Sequence, residues 1–222
     1  MATRPLLRAK TSAAVVDYFL EQIFEGQLRS GDRIDFEGVA DELGVSRLPV
    51  REAIVMLERD GLVSSVPHRG TYVEPFDAES IRDDFEILGL LSGVAVSRLA
   101  RDPDPEVLNQ LRQLLDDLRA APSGDTEQVA EVVQEIVRAE HRAGGSRRLR
   151  AELRSYAGFM PWAFRTASPA HGDIVRAHTD VIDAIAAGDP DAAARHRVED
   201  FRRAGESVVV ELERRGVLEP RA

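Results

Sequence analysis

The sequence predicts a mainly α-helical protein with one small β-hairpin. Apolar residues recur at helical spacing along most of the 222 residues. Clusters of Asp, Pro and Gly interrupt this pattern and mark the ends of helices. Only two short runs, 62–65 and 71–74, have the character of strands. The hydrophobic period changes after Pro75, which predicts two domains, 1–75 and 76–222.

Composition excludes several classes of protein. A content of 43% hydrophobic and 31% charged residues is typical of a globular chain. No apolar run reaches about 18 residues, which argues against a transmembrane helix. The start, MATRPLLRAK, lacks the apolar core of a signal peptide. The absence of cysteine excludes disulfides, a thiolate nucleophile and cysteine-bound zinc. We therefore expect a cytoplasmic protein that does not bind membranes.

The first two predicted helices lie before residue 44. Residues 1–10 are expected to form a frayed arm. The first helix is predicted from Thr11 to Glu25, with its inward face formed by Val15, Val16, Phe19, Leu20 and Ile23. A short amphipathic helix follows at 36–43, and Gly44 begins a tight turn.

The third helix is predicted within 44–61, GVSRLPVREAIVMLERDG. Ser46 is a suitable N-cap, and Pro49 falls in the first turn, where a missing N–H costs little. Val50, Ile54 and Leu57 form the buried face, and Gly61 ends the helix. Two helices joined by a short glycine turn are typical of a helix-turn-helix.

Arg47 and Arg51 share a face of this helix away from the apolar residues. Guanidinium groups near a helix N-terminus suit phosphates or guanine edges in a major groove. The alternative is an ordinary solvated surface, which is common for an arginine pair. The turn Pro67-His-Arg-Gly70 between the two strands predicts a wing with Arg69 and Gly70 at its tip.

The net charge of −10 argues weakly against nucleic-acid binding. Residues 1–75 contain nine Arg and Lys against twelve Asp and Glu, a net charge of −3, and the remainder carries −7. Any binding of DNA must therefore come from locally clustered arginines. We expect modest non-specific affinity and a dimer that doubles the phosphate contacts.

After residue 76 the pattern is helical almost throughout, which predicts a bundle of six or seven helices. Asp104, Asp125 and Asp189 are plausible N-caps. The predicted helices are 77–101, 104–121, 125–143, 146–157, 159–167, 170–187 and 190–216.

The N-terminal part resembles the winged helix-turn-helix of the GntR family of bacterial transcription regulators. The resemblance runs from Thr11 to Pro75, and its strongest pieces are GVSR-x-PVREA, RDGLV and RGTYV. It implies a double-stranded DNA operator as partner. The candidate DNA-binding residues are Ser46, Arg47, Pro49, Arg51, His68, Arg69 and Gly70. The family commonly has Thr where this chain has Leu48, so one phosphate contact and the operator preference are expected to differ.

The C-terminal part resembles the FadR-type branch of this family, whose helical ligand-binding region is called the FCD domain. The resemblance is carried by 85–100 and 177–196. It implies a homodimer on a palindromic operator, a small-molecule effector inside the bundle, and repression as the mode of control.

Many members of that branch hold a metal with one Asp and three His. The resemblance places Val133 and Val137 at the positions of the Asp and the first His, and His178 and Asp200 at the other two. Valine cannot coordinate a metal, so we expect no cofactor, with His178 and Asp200 as weak metal candidates. The family often has Arg at position 88 and Glu at position 92.

These substitutions predict an apolar cavity and a largely hydrophobic effector held without metal, with His178, Asp200 or an arginine orienting a polar end. Simple filling of the core is equally compatible with the pattern. The candidate effector-binding residues are Leu88, Ser92, Val133, Val137, Phe159, Trp162, His178 and Asp200.

Three alternative functions remain open from the sequence. One is a metal-binding regulator that senses a small organic acid through His178 and Asp200. Another is a metal-dependent enzyme using His141, His171, His178 and His196, which we do not expect because no catalytic motif stands out. A third is a dimeric interaction module that no longer binds DNA.

Overall fold

The computed structural model describes residues 4–59, 61–75, 77–156 and 169–218. Within these ranges it contains nine helices and a two-stranded sheet, so the predicted mainly α fold class is confirmed. The chain forms two compact units, 1–77 together with 212–222, and 78–211. None of the helices in the described ranges is both long enough and apolar enough to span a membrane.

The first unit contains three helices and a hairpin, in the predicted order. They are α1 (Arg4–Phe24), α2 (Phe36–Glu42), α3 (Arg47–Arg59), β1 (Val63–Val66) and β2 (Gly70–Val73). The start of α1 corrects the sequence expectation, because the helix includes residues 4–10, which were predicted to be a frayed arm. Leu6, Leu7 and Ala9 favour a helix, and Pro5 is tolerated in its first turn.

The core of the first unit forms where α1 packs on α3. The inward face predicted for α1 is confirmed, since Phe19 and Ile23 are fully buried. The buried face predicted for α3 is confirmed in the same way at Val50, Ile54 and Leu57. Helix α3 therefore has one apolar face fixed against α1, which leaves its other face available to solvent.

The hairpin is antiparallel and short, as predicted. Val63 pairs with Val73, and Val66 pairs with Gly70. The amide of Arg69 donates to the carbonyl of Val66 at 3.0 Å. His68 takes a positive φ of 62°, which is uncommon for a residue other than glycine but is tolerated by His better than by most side chains. Proline followed by a residue with positive φ is the pattern of a type II turn.

The second unit is a bundle whose helices agree with the predicted ones to within two residues at each end. They are α4 (Ala78–Arg101), α5 (Pro105–Ala120), α6 (Thr126–Gly144), α7 (Arg147–Tyr156), α8 (His171–Ala186) and α9 (Pro190–Arg214), the last of which ends in the first unit. The helix predicted at 159–167 lies outside the described residues.

N-caps formed by side chains explain why the starts of α5, α6 and α9 can be predicted from the sequence. Asp104 accepts from the amide of Glu106 at 2.8 Å, and Asp125 accepts from the amide of Gln128 at 3.0 Å. Asp189 accepts from the amide of Ala192 at 2.9 Å. Each aspartate satisfies an amide that has no partner within its helix, so the three predicted N-caps are confirmed.

The core of the bundle is built from aliphatic residues of α4, α5, α6 and α8. Fully buried members include Val96, Leu111, Leu118, Ile136, Val181 and Ile185. Gly144 of α6 lies close to the backbone of α4, since an added Cβ would lie 1.9 Å from the carbonyl oxygen of Ala95. Only glycine fits at this position, so Gly144 sets how closely the end of α6 approaches α4.

Candidate nucleic-acid interface and ligand cavity

The exposed face of α3 carries the residues that sequence reasoning selected for DNA. Helix α2 ends at a turn in which Gly44 has a φ of 63°, and α3 begins three residues later. Arg47 and Arg51 are exposed on the side of α3 opposite its buried face. Leu48 and Val55 are also exposed there, at 47% and 63%.

A groove of about 520 Å³ lies between the starts of α2 and α3. Three arginines line it, Arg33, Arg47 and Arg51, together with Asp35 and Glu37. Arg47 and Glu37 form an ion pair of 2.9 Å in which both side chains are about two-thirds exposed. An ion pair so exposed contributes at most about 1 kcal/mol, so it gives way easily to a stronger anionic partner.

The tip of the hairpin adds a further cation next to this groove. Arg69 and His68 are exposed, and the guanidinium of Arg33 covers Gly70 so closely that an added Cβ would lie 2.6 Å from Arg33 Nε. Gly70 therefore supports the position of Arg33. We call Arg33, Arg47, Arg51 and Arg69 the interface arginines.

The second unit contains a cavity of about 580 Å³ between α6, α8 and α9. Its walls are partly apolar, and Arg176, Arg203 and Glu206 supply charged groups. Three predicted effector residues, Val133, His178 and Asp200, line it. The other lining residues are Val129, Ala130, Pro169, Asp173, Ile174, Ala177, Ala204 and Ser207.

A buried charged cluster lies next to this cavity. The guanidinium of Arg197, which has no exposed surface, donates to Glu140 at 2.5 Å and to Asp200 at 2.6 Å. Both of its terminal nitrogens also lie 3.4 Å from Nδ1 of His178. The next residue of α6 after Glu140 is His141, whose Nε2 lies 2.9 Å from the hydroxyl oxygen of Ser92.

Comparison with known proteins agrees with both units. Residues 11–73 match the model of the family described as bacterial regulatory proteins, gntR family, and residues 83–202 match the FCD domain. An uncharacterized HTH-type transcriptional regulator of Mycobacterium tuberculosis is 36% identical over 212 residues, covering 95% of this chain and 86% of the relative. The chain belongs to the GntR family of transcriptional regulators.

Other relatives of this GntR regulator are also named as regulators rather than as enzymes. A probable D-xylose utilization operon transcriptional repressor of Paenarthrobacter nicotinovorans is 27% identical, with 86% of this chain and 85% of the relative covered. Two solved structures share the fold. McbR of Escherichia coli has a TM-score of 0.61 at 20% identity, covering 87% and 94% of the two chains, and a regulator of Rhodococcus has 0.60 at 24%, covering 90% and 97%.

The structure of the GntR regulator separates the predicted DNA residues into two groups. Ser46, Arg47, His68 and Arg69 are exposed, as is Arg51. Pro49 is buried. Gly70 is half-buried beneath Arg33.

The predicted effector residues separate in a similar way. Leu88, Ser92 and Val137 are not among the described residues that line this cavity. Ser92 instead bonds to His141, and the side chains of Arg197 and Glu140 occupy the interior beside α6. Phe159 and Trp162 lie outside the described residues.

A metal site of the kind found in many members of the branch does not fit the residues present. Nδ1 of His178 and one oxygen of Asp200 both face the guanidinium of Arg197, so a cation already occupies the space between the two weak metal candidates. Within the described part of the chain, no three His, Cys, Asp or Glu side chains are grouped to hold a metal ion.

Sequence reasoning missed Arg197 and Glu140, although a signal for both exists. Glu140 continues the buried series Val129, Val133 and Ile136 on α6, and Arg197 lies between the buried Ala193 and Phe201 on α9. A charged residue on an apolar stripe must find a buried partner. Two such residues on neighbouring helices therefore predict an ion pair.

Burial keeps His178 neutral, and Arg197 sets its tautomer. Burial is the main reason that the pKa of His178 falls to about 4; the charge of Asp200 opposes this shift, and the charge of Arg197 adds to it. A guanidinium can only donate, so Nδ1 of the neutral imidazole must accept and the hydrogen is on Nε2. His178 is therefore a neutral side chain with one N–H donor to offer, and it lines the cavity.

The remaining groups of the cluster are shifted for related reasons. Burial lowers the pKa of His141 to about 4, with Arg197 adding to the effect. Burial raises the pKa of Glu140, while the charge of Arg197 and its hydrogen bond oppose that shift. The single short contact of 2.5 Å between Glu140 Oε1 and a terminal nitrogen of Arg197 favours the ionised carboxylate.

Proposed function

We propose that this GntR regulator is a cytoplasmic homodimeric repressor whose affinity for a palindromic operator is controlled by a small molecule bound in the helical unit. The observation that carries the proposal is the cluster of interface arginines on the exposed face of α3, at the tip of the hairpin and just before α2. The P. nicotinovorans relative named as a probable repressor supports the mode of control.

The proposed contacts with DNA follow from exposure and charge. Arg51 lies on α3 beside exposed Leu48 and Val55, so it reads a base edge in the major groove while the two apolar side chains face thymine methyl groups. Ser46 and Arg47 lie at the start of α3 and contact the phosphate backbone. His68 and Arg69 extend the contact from the hairpin.

The test is binding of DNA from upstream of the protein's own coding sequence, measured by fluorescence anisotropy. Arg51→Ala should weaken specific binding by about 1–3 kcal/mol and relax the sequence preference. Arg148→Ala, at an 88% exposed side chain on α7, is the matched control and should leave binding unchanged. Equal loss in both variants, or no binding by the wild type, would remove the basis for the proposal.

The effector is proposed to be a small molecule with an apolar body and a group that accepts a hydrogen bond, held without metal. The apolar wall of Val129, Val133 and Ile174 supports the apolar body. The Nε2–H of His178 supports the acceptor, because it is a donor on a buried wall of the cavity.

The effector proposal is tested by screening metabolites for thermal stabilisation in the presence of EDTA. A true effector should stabilise the wild type and shift operator binding. Ala177→Leu should abolish both effects by filling the cavity, whereas Ala186→Leu on the exposed side of the same helix should preserve them. Ligands that bind only when a divalent metal is added would contradict the proposal.

A further inference from the structure

Two polar side chains in the wall of the cavity are held in place by one guanidinium. Nη1 of Arg197 donates to Oδ2 of Asp200 at 2.6 Å and also lies 3.4 Å from Nδ1 of His178. Both His178 and Asp200 line the cavity. Because the same nitrogen contacts both, the two side chains are neighbours in the wall, and we call them the polar corner of the cavity.

His178 contributes a hydrogen-bond donor to the polar corner. Its Nδ1 faces two nitrogens of Arg197, so Nδ1 must accept and the neutral ring carries its hydrogen on Nε2. Among the residues that the structure describes, Nε2 has no hydrogen-bond partner, although the side chain is only 2% exposed. A donor on a buried side chain without a protein partner favours a ligand that accepts from it.

Asp200 contributes an acceptor beside that donor. Its Oδ2 accepts from Arg197, whereas its Oδ1 takes part in no hydrogen bond with the described part of the chain. The side chain is 21% exposed, so the free oxygen is open to a ligand in the cavity. The ion pair with Arg197 keeps the carboxylate charged, and a charged carboxylate can only accept.

The charges around the cavity do not favour an anion in the polar corner. Arg176 pairs with Asp173, and Arg203 lies 3.9 Å from Glu199. Both arginines are more than half exposed, so water screens their charge. The charged residues that line the cavity carry a net charge of −1, and they are Asp173, Arg176, Asp200, Arg203 and Glu206. A carboxylate placed against Asp200 would therefore meet a like charge, which disfavours binding.

We propose that the cavity selects an uncharged effector whose polar end has a carbonyl and an N–H on one edge, as in a primary amide or a lactam, and that it rejects carboxylates. The carbonyl accepts from Nε2 of His178, and the N–H donates to Oδ1 of Asp200. The apolar wall takes the apolar body of the molecule. This inference rests on the effector of the proposed function and names its chemical class.

Other polar groups satisfy only one member of the polar corner. An ester, a ketone or a tertiary amide accepts from His178 but gives Asp200 no donor. A carboxylate also accepts from His178, but it is repelled by Asp200. A site with fixed hydrogen-bonding groups discriminates strongly against a ligand that leaves one of them without a partner.

The test compares three ligands that share one apolar body, with the full chain in the presence of EDTA. Isothermal titration calorimetry measures binding of 4-phenylbutanamide, its N,N-dimethylamide and 4-phenylbutanoate. The primary amide should bind at least about tenfold more tightly than either of the others, because the dimethylamide cannot donate and the carboxylate meets Asp200. The primary amide should also shift operator binding.

A substitution at Asp200 should change this preference. Asp200→Asn replaces the carboxylate by an amide that can donate, so binding of 4-phenylbutanoate should tighten by about tenfold or more relative to the wild type. Asp183→Asn removes an exposed carboxylate of α8 outside the cavity lining, and this matched control should leave all three affinities unchanged. The ligand series on the wild type decides the question even if Asp200→Asn does not fold.

Several outcomes would overturn the amide inference and leave the effector proposal standing. They are a wild type that binds the carboxylate or the dimethylamide as tightly as the primary amide, a wild type that binds none of the three, and a folded Asp200→Asn variant that still rejects the carboxylate. An operator affinity that no compound of the metabolite screen alters would overturn both.

Discussion

At the scale of single residues, the buried guanidinium of Arg197 sets the electrostatics of the helical unit. It neutralises Glu140 and Asp200, and its direction of donation fixes the tautomer of His178. One oxygen of Glu140 and Nε of Arg197 have no hydrogen-bond partner among the described residues. The cluster is therefore incompletely satisfied, and its role is better sought in the adjacent cavity than in stability alone.

Removing only the cation should be far more damaging than removing the buried pair. Arg197→Met leaves Glu140 charged and without compensation, so we expect a loss of about 3–5 kcal/mol in the free energy of unfolding. The double variant R197M/E140L should recover most of it, because Asp200 is partly exposed and can be solvated. Urea unfolding measures the loss in each variant. If the losses of the two single substitutions simply add in the double variant, Arg197 and Glu140 are not coupled.

His178 should make stability depend on pH in a defined direction. Its pKa is about 4 in the folded chain and 6.5 when unperturbed, so the unfolded state takes up a proton first as the pH falls. Stability from this residue is complete above about pH 6.5 and is lost between 6.5 and 4. When the free energy of unfolding from urea titrations is plotted against pH, the slope between pH 6.5 and 4 should be shallower by about 1 kcal/mol per pH unit in His178→Gln than in the wild type. Parallel plots for the two proteins would contradict this prediction.

At the scale of elements, the helices of the bundle were predictable where local chemistry defines them. Asp104, Asp125 and Asp189 cap their helices through short-range bonds, which is why those boundaries agree. The early start of α1 was not predicted, because the clear apolar period of that helix begins only after residue 10. The position of the cavity was not predictable either, since it depends on which side chains fill the space between helices.

The groove between α2 and α3 predicts that one carboxylate restrains DNA binding. Glu37 pairs with Arg47 and lines the same groove as Arg33 and Arg51. Glu37→Gln removes a negative charge near the proposed phosphate path and releases Arg47. Operator binding, measured by anisotropy, should tighten by about threefold to tenfold. Asp41→Asn, an exposed change on α2 outside the groove, is the control, and equal tightening by both would indicate only a general charge effect.

At the scale of the whole molecule, a chain of net charge −10 must attract DNA through a small surface. The interface arginines supply that surface in the first unit. In the proposed homodimer, two sets of these arginines would match the two halves of a palindromic operator. Because the rest of the chain is acidic, it provides no long-range attraction for DNA. The arginines therefore contribute mainly through contacts at defined positions, which favour specificity.

This arrangement predicts how binding responds to salt. Four interface arginines on each copy give about eight phosphate or base contacts, so the slope of log K against log salt concentration should be no steeper than about −7. Arg69→Ala, which removes one proposed contact on each copy, should make the slope shallower by about two, while the exposed control Arg148→Ala should leave it unchanged. Titration of operator DNA between about 50 and 200 mM salt measures all three. A slope that stays the same in Arg69→Ala would show that the tip of the hairpin makes no contact with DNA.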